Sequence, residues 1–356
     1  MGCNKRIITR MQNLQQTPVK EQHIIWIDVM RFTAAFLVIL AHIYDWSTSP
    51  RLFYIFYFTI SRIAVPLFFL LSGYLLLSKE ETIPSFLKKR FARVAVPFLV
   101  WSIIYDVMDS NSFTDTGVTL DAVLKLFIRI IRGPRGGHLW FMYFLIGLYL
   151  LAPVLRVFVS KANKTELFYY IGLWFLAMPI MNIIEGLTPI DSGFEIYNAG
   201  GYLGYFLLGY YLGGMENTAQ NLSRGIALFA GGFLFTFAVF YFDLPPQGNE
   251  LPFRSYPSLN IIIMSLGAFL IIKHAGEKAS PFWANFAHQA GIASFGIYLI
   301  HLLVLNMIAR LWVSWGHDVQ AGNAIIVVPV VAIITFVVSW ALVYVIQKIP
   351  VLRAIV

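Results

Sequence analysis

Charge is scarce in this chain. Of its 356 residues only 12% are Asp, Glu, Lys or Arg, against 58% hydrophobic, and the mean hydropathy is +0.71. A soluble domain carries about twice that charged fraction, so an ordinary water-soluble fold is excluded and a polytopic membrane protein is implied. Cysteine is nearly absent: Cys3 stands alone in a polar tail. That excludes an intramolecular disulfide and argues against a thioester-linked cysteine intermediate within the membrane. The seven histidines are scattered without metal-ligand spacing, so no metal is expected. Long loops are missing too, which leaves any chemistry to the membrane bundle itself. The formal charge of +8 superficially suits nucleic acid, but basic residues beside apolar spans follow membrane topology, and no nucleic-acid partner is expected.

What the chain has instead is long apolar runs. They recur near 24–46, 53–77, 94–108, 138–158, 167–184, 199–215, 225–242, 259–273, 291–313 and 324–347, which reads as an all-α bundle of about ten transmembrane helices. Residues 1–23 are polar and basic, without the apolar core and cleavage site of a signal peptide, and Arg6 stands where a myristoylation signal needs Ser or Thr. Seventeen Lys and Arg fall on the side of this tail and seven on the other, with Arg31 and Arg62 inside spans. Both termini are therefore expected in the cytoplasm, with a polar tail over 1–23, a membrane domain over 24–347 and a second tail over 348–356. Between the third and fourth spans, Asp121, Lys125, Arg129 and Arg132 oppose Val123, Leu124, Phe127, Ile128 and Ile131 at helical spacing. This predicts an interfacial amphipathic helix over Leu120 to Arg132, resting among membrane lipids.

The first span carries the most informative pair, Arg31 and His42. Eleven steps of about 100° turn a helix by roughly three turns plus 20°, which puts both side chains on one stripe about 16 Å apart. Asp28 and Ala35 lie close to that stripe. Ionisable groups inside a span are rare unless they face a protein cavity, so the stripe marks a site. A second constellation, Lys88, Lys89, Arg90 and Arg93, precedes Pro97. Arg90 and Arg93, three residues apart, are expected on one helical face with guanidinium forks suited to the phosphates of a nucleotide-derived cosubstrate. Arg62, mid-span, is expected to be paired internally, with no partner evident. Pro66 and Gly73 imply a kink or close packing.

Several stretches together resemble the integral membrane acyltransferase 3 family. They are Trp26-Ile27-Asp28 leading to Arg31 and His42; Val65-Pro66-Leu67-Phe68-Phe69-Leu70-Leu71-Ser72-Gly73-Tyr74; Arg90 and Arg93 before Pro97; His138-Leu139-Trp140-Phe141; and Ser294-Phe295-Gly296-Ile297-Tyr298-Leu299-Ile300-His301. The resemblance covers about residues 24 to 347. It is closest to single-domain bacterial members that O-acetylate envelope glycans, such as those acting on enterobacterial common antigen. It implies a multi-pass protein of the bacterial inner membrane that moves an acetyl or other acyl group from cytoplasmic acetyl-CoA to a hydroxyl of an envelope polysaccharide or lipid-linked sugar. The chain lacks the fused extracytoplasmic transfer domain of some members, which favours transfer within the bundle.

The residues fit that chemistry. A sugar hydroxyl is a poor nucleophile, and an imidazole of pKa near 6.5 in a water-poor cavity suits its deprotonation during attack on a thioester. His42 is the candidate base, Arg31 the group that positions the donor or stabilises negative charge, and Asp28 the residue holding Arg31. Arg90 and Arg93 are the candidate acyl-CoA ligands. His138 and Trp140 are placed on the acceptor side, and Tyr298 and His301, in the ninth span, are expected to face the cavity and to orient His42 or the acceptor. The alternative is a transporter or flippase of a glycolipid or small anion, since intramembrane Arg and His also mark substrate pathways. No inverted repeat is evident, and the two halves carry unlike motifs. The oligomeric state is not legible.

Overall fold

The computed structural model describes residues 24–43, 49–110, 119–189, 201–244, 252–319 and 322–356; the polar tail 1–23 lies outside the described residues. Among the described residues there is no strand, only an isolated bridge between Ser49 and Asn323. The helices are α1 (Ile25–Ala41), α2 (Arg51–Ser61), α3 (Ala64–Leu77), α4 (Ile83–Arg90), α5 (Val96–Ser110), α6 (Leu120–Arg132), α7 (Trp140–Lys161) and α8 (Lys164–Phe175). They continue as α9 (Met181–Leu187), α10 (Leu203–Gly214), α11 (Ala219–Tyr241), α12 (Leu259–Glu277), α13 (Pro281–Ser314) and α14 (Ala324–Lys348).

Eight helical stretches among the described residues are long and apolar enough to cross a membrane, which makes the chain a polytopic helical bundle. Two of the ten expected runs form shorter helices among the described residues. The first apolar run forms the 17 residues of α1, at the lower limit for a span, and the sixth forms the 12 of α10, short of it.

Proline explains where the long helices break. Pro66 has no N–H to offer the Arg62 carbonyl, so the second span divides at Arg62–Ile63 into α2 and α3. Pro97 stands four residues after Arg93, and the turn between α4 and α5 widens into a π-helix, Phe91–Ala95. The same device recurs at Pro179, inside the π-turn Leu176–Ile180 that joins α8 to α9.

The short helix α1 packs against α3, α12 and α13, and most of its residues are buried. Gly291 admits α13 to that contact: a Cβ there would stand 2.8 Å from Asp28 Cβ. On the far side α3 meets α10 so closely that a Cβ on Gly209 would lie 1.8 Å from the Leu70 carbonyl oxygen. Close backbone approach at small residues is how membrane helices associate without a hydrophobic driving force.

Two cations counted as loop charges belong to the interior. Arg156 is buried in α7, donating from Nε to the Leu76 carbonyl over 2.7 Å with its guanidinium 4.2 Å from the Phe86 ring. Lys273 is buried in α12, and its Nζ donates to the Gly213 carbonyl over 2.8 Å, capping the C-terminus of α10 with positive charge. The amphipathic helix α6 spans the predicted residues, with the Thr119 side chain as its N-cap. It seats Ala122, Leu126 and Ile130 on the bundle and leaves Leu124, Phe127, Ile128 and Ile131 exposed. Arg129 turns inward to a bidentate pair with the buried Asp106 at 2.7 and 3.0 Å.

Candidate active site

Three imidazoles converge where α1 ends. His42 is the C-cap of α1, His138 lies in the turn before α7, and His301 is in α13. The His42 ring centroid is 5.2 Å from that of His301 and 6.3 Å from that of His138, and those two are 5.0 Å apart. His301 donates from Nδ1 to the Tyr298 carbonyl over 2.6 Å, which fixes the proton there and leaves Nε2 bare, buried and without a hydrogen-bond partner. His138 donates from Nε2 to the Leu299 carbonyl over 3.4 Å, leaving Nδ1 in the same condition. Tyr298 donates its hydroxyl to the His138 carbonyl over 2.7 Å and so ties α13 to the start of α7. Two buried imidazoles that are acceptors flank a third that reaches a cavity.

That cavity has a volume of about 310 Å³, within the range of small-molecule sites. His42, His138, Trp140 and Tyr298 line it, while His301 sits behind them. Opposite lie Arg62 and Tyr256. The partner missing for Arg62 in the sequence is supplied by the turn before α12: Nη2 donates to the Arg254 carbonyl over 2.6 Å, and the guanidinium carbon stands 4.2 Å from the Tyr256 ring centre. Trp140 stacks on the same Tyr256 ring, 5.5 Å between centroids and 25° between planes.

At the other end of α1, Arg31 Nη1 donates to Asp28 Oδ1 over 3.2 Å, the pairing expected from their spacing. The other carboxylate oxygen accepts from His288 Nδ1 over 2.9 Å. Both Asp28 and His42 thus meet histidines of α13, so the two helices run side by side in the same direction.

A family model described as an acyltransferase domain matches residues 24–344. The chain belongs to this family. It is an acyltransferase, and a multi-pass membrane one. No curated protein and no solved structure matches the chain.

In this acyltransferase the two arginines expected to grip the donor together are placed differently. Arg90 closes α4, half-buried, with Nη2 4.0 Å from Glu81 Oε2, while Arg93 is exposed in the π-turn. The widened turn sets Arg93 in a different register from Arg90 than a regular helix would. Glu81, in the loop before α4, is held below the usual carboxylate range by its hydrogen bond from Lys89, with help from Ser85 and the charges of Lys89 and Arg90. Arg90 and Arg31, on different helices, both lie within electrostatic reach of Tyr149 on α7. Two of the donor-side candidates, Arg31 and Arg90, therefore stand near one tyrosine.

Sequence reasoning missed His288, Tyr256 and the position of Arg62 in the cavity wall. His288 had a signal, an intra-helix histidine 13 residues before His301, but the apolar run was taken to begin at 291 whereas α13 begins at Pro281. Among the described residues no group of three His, Cys, Asp or Glu is arranged to hold a metal ion.

Proposed function

We propose that this acyltransferase moves an acetyl group from cytoplasmic acetyl-CoA to a hydroxyl of an envelope glycan or lipid-linked sugar, within the bundle, in the bacterial inner membrane. The observation that carries this reading is His42, the one imidazole of the cluster that is only partly buried, at the wall of a cavity whose other walls are aromatic and cationic. The hydroxyl oxygen attacks the thioester carbonyl carbon as His42 takes the hydroxyl proton. The C–S bond then breaks, the ester forms, and the proton passes from His42 to the leaving thiolate, which departs as CoA. The fixed proton of His301 leaves its other nitrogen bare, and an acceptor rather than a donor close to His42 helps the cluster accept positive charge there.

Arg31, held by Asp28, and the cations Arg90 and Arg93 serve the donor from the cytoplasmic end, and the long pantetheine arm of CoA suits the rise between them and His42. His138, Trp140 and Tyr298 serve the acceptor from the outer end. Both termini lie in the cytoplasm in this arrangement. Incubating the purified protein with labelled acetyl-CoA and an envelope glycan tests the reading: CoA release in step with label on the glycan is expected, whereas movement of glycolipid without CoA release would favour a carrier.

A further inference from the structure

Arg62 stands inside the helical stretch 51–77, at its break, and among the described residues no carboxylate forms an ion pair with it. Its contacts are the Arg254 carbonyl and the rings of Tyr256 and Phe58, at 4.2 and 5.5 Å. Its Nε is buried with no hydrogen-bond partner, and among the described residues no carboxylate pairs with it. Among the described residues, no Asp or Glu lines the cavity it shares with His42. Beside it, Arg254 and Arg51 both act on Asp243, so that carboxylate is already shared by two other guanidiniums. Asp243 is held below the usual carboxylate range by its hydrogen bond from Arg254, which shows it already engaged.

A guanidinium in an apolar span without a counter-ion is costly, and such residues persist where a ligand supplies the missing charge. A neutral sugar would leave that cost in place. The rings of Trp140 and Tyr256 line the same cavity and add aromatic surface against which a pyranose ring can pack beside Arg62.

We propose that Arg62 binds a negative charge on the acceptor, so that the hydroxyl acylated at His42 belongs to an oxyanion-bearing sugar, either an acidic sugar with a carboxylate or a phosphate-linked glycoside. This rests on the acyl-transfer reading of the same cavity. Carboxylate and phosphate both match a guanidinium fork, and the aromatic platform holds the ring so that its hydroxyl reaches His42.

The test compares methyl glucoside, methyl glucuronide and a glucosyl phosphate as acceptors for the purified full-length protein, reading labelled acetyl transfer. In the wild type the charged acceptors should exceed the neutral one in kcat/KM by about tenfold or more, the size of one charge-assisted hydrogen bond. Which charged acceptor leads separates the carboxylate source from the phosphate source. In Arg62→Gln the ratio of charged to neutral should collapse towards one. Equal use of all three by the wild type overturns the proposal without any variant, and so does a variant that loses charged and neutral transfer in equal proportion. Should no acceptor release CoA, the acyl-transfer reading fails instead. Calorimetric binding to the wild type then decides Arg62 by itself: tighter binding of methyl glucuronide than of methyl glucoside supports the assignment, and equal binding overturns it.

Discussion

His288 donates to Asp28 over 2.9 Å, and through that carboxylate it reaches Arg31, whose guanidinium binds the other oxygen. Asp28 is buried and so close to α13 that only glycine fits at position 291. The orientation of Arg31 is therefore set by a residue 257 positions away in sequence as well as by its own helix.

Replacing His288 by Ala removes one of the hydrogen bonds that fix Asp28 and should lower kcat about tenfold, the usual size of losing an orienting partner behind an active-site group. His288→Asn, which retains a donor near that position, should recover part of it. Identical rates for H288A and the wild type would show that Arg31 needs no such support.

Arg93, exposed in the π-turn, offers the cleanest probe of donor binding because its reversal disturbs no buried contact. Arg93→Glu should raise KM for acetyl-CoA about tenfold with kcat little altered. An unchanged KM, measured by initial rates over a range of acetyl-CoA, would remove it from the donor site.

Glu81 adds a pH signature at the same end. Its carboxyl is held below the ordinary range in the folded protein, so its stabilising contribution is present above the unfolded carboxylate pKa and is lost as pH falls through the lower folded one. Thermal unfolding in detergent across acidic pH should show Glu81→Gln lacking the part of the acid dependence that the wild type owes to this group.

Much of the architecture was legible because periodicity is local. The pairing of Asp28 with Arg31 follows from 3.6 residues per turn, and the bounds of α6 follow from its two-faced pattern. What was not legible depends on partners distant in sequence or on departures from regular helix. The register between Arg90 and Arg93 departs from that of a regular helix because a π-turn precedes Pro97. His288 lies in a polar extension of α13 beyond the apolar run. Arg62 meets Tyr256 only because the chain folds back after nearly two hundred residues. The cluster of His42, His138 and His301 likewise joins three separate segments, none of which carries a sign of the others.

The contact of α3 with α10 sets a stability prediction. Gly209→Ala would drive a methyl group into the Leu70 carbonyl, which backbone alone must yield to, and should destabilise the bundle by about 1–3 kcal/mol. Gly231→Ala, where a Cβ meets nothing within 4 Å, serves as the control. Similar melting temperatures for the two variants in detergent would contradict the packing.

The measurement closest to the centre of this account is the single-turnover acyl transfer of His42→Ala in purified protein shown by its melting temperature to be folded. Transfer should fall by about 10²–10⁴-fold, the range of a positioned general base, while acetyl-CoA still binds. Transfer at the wild-type rate would contradict it.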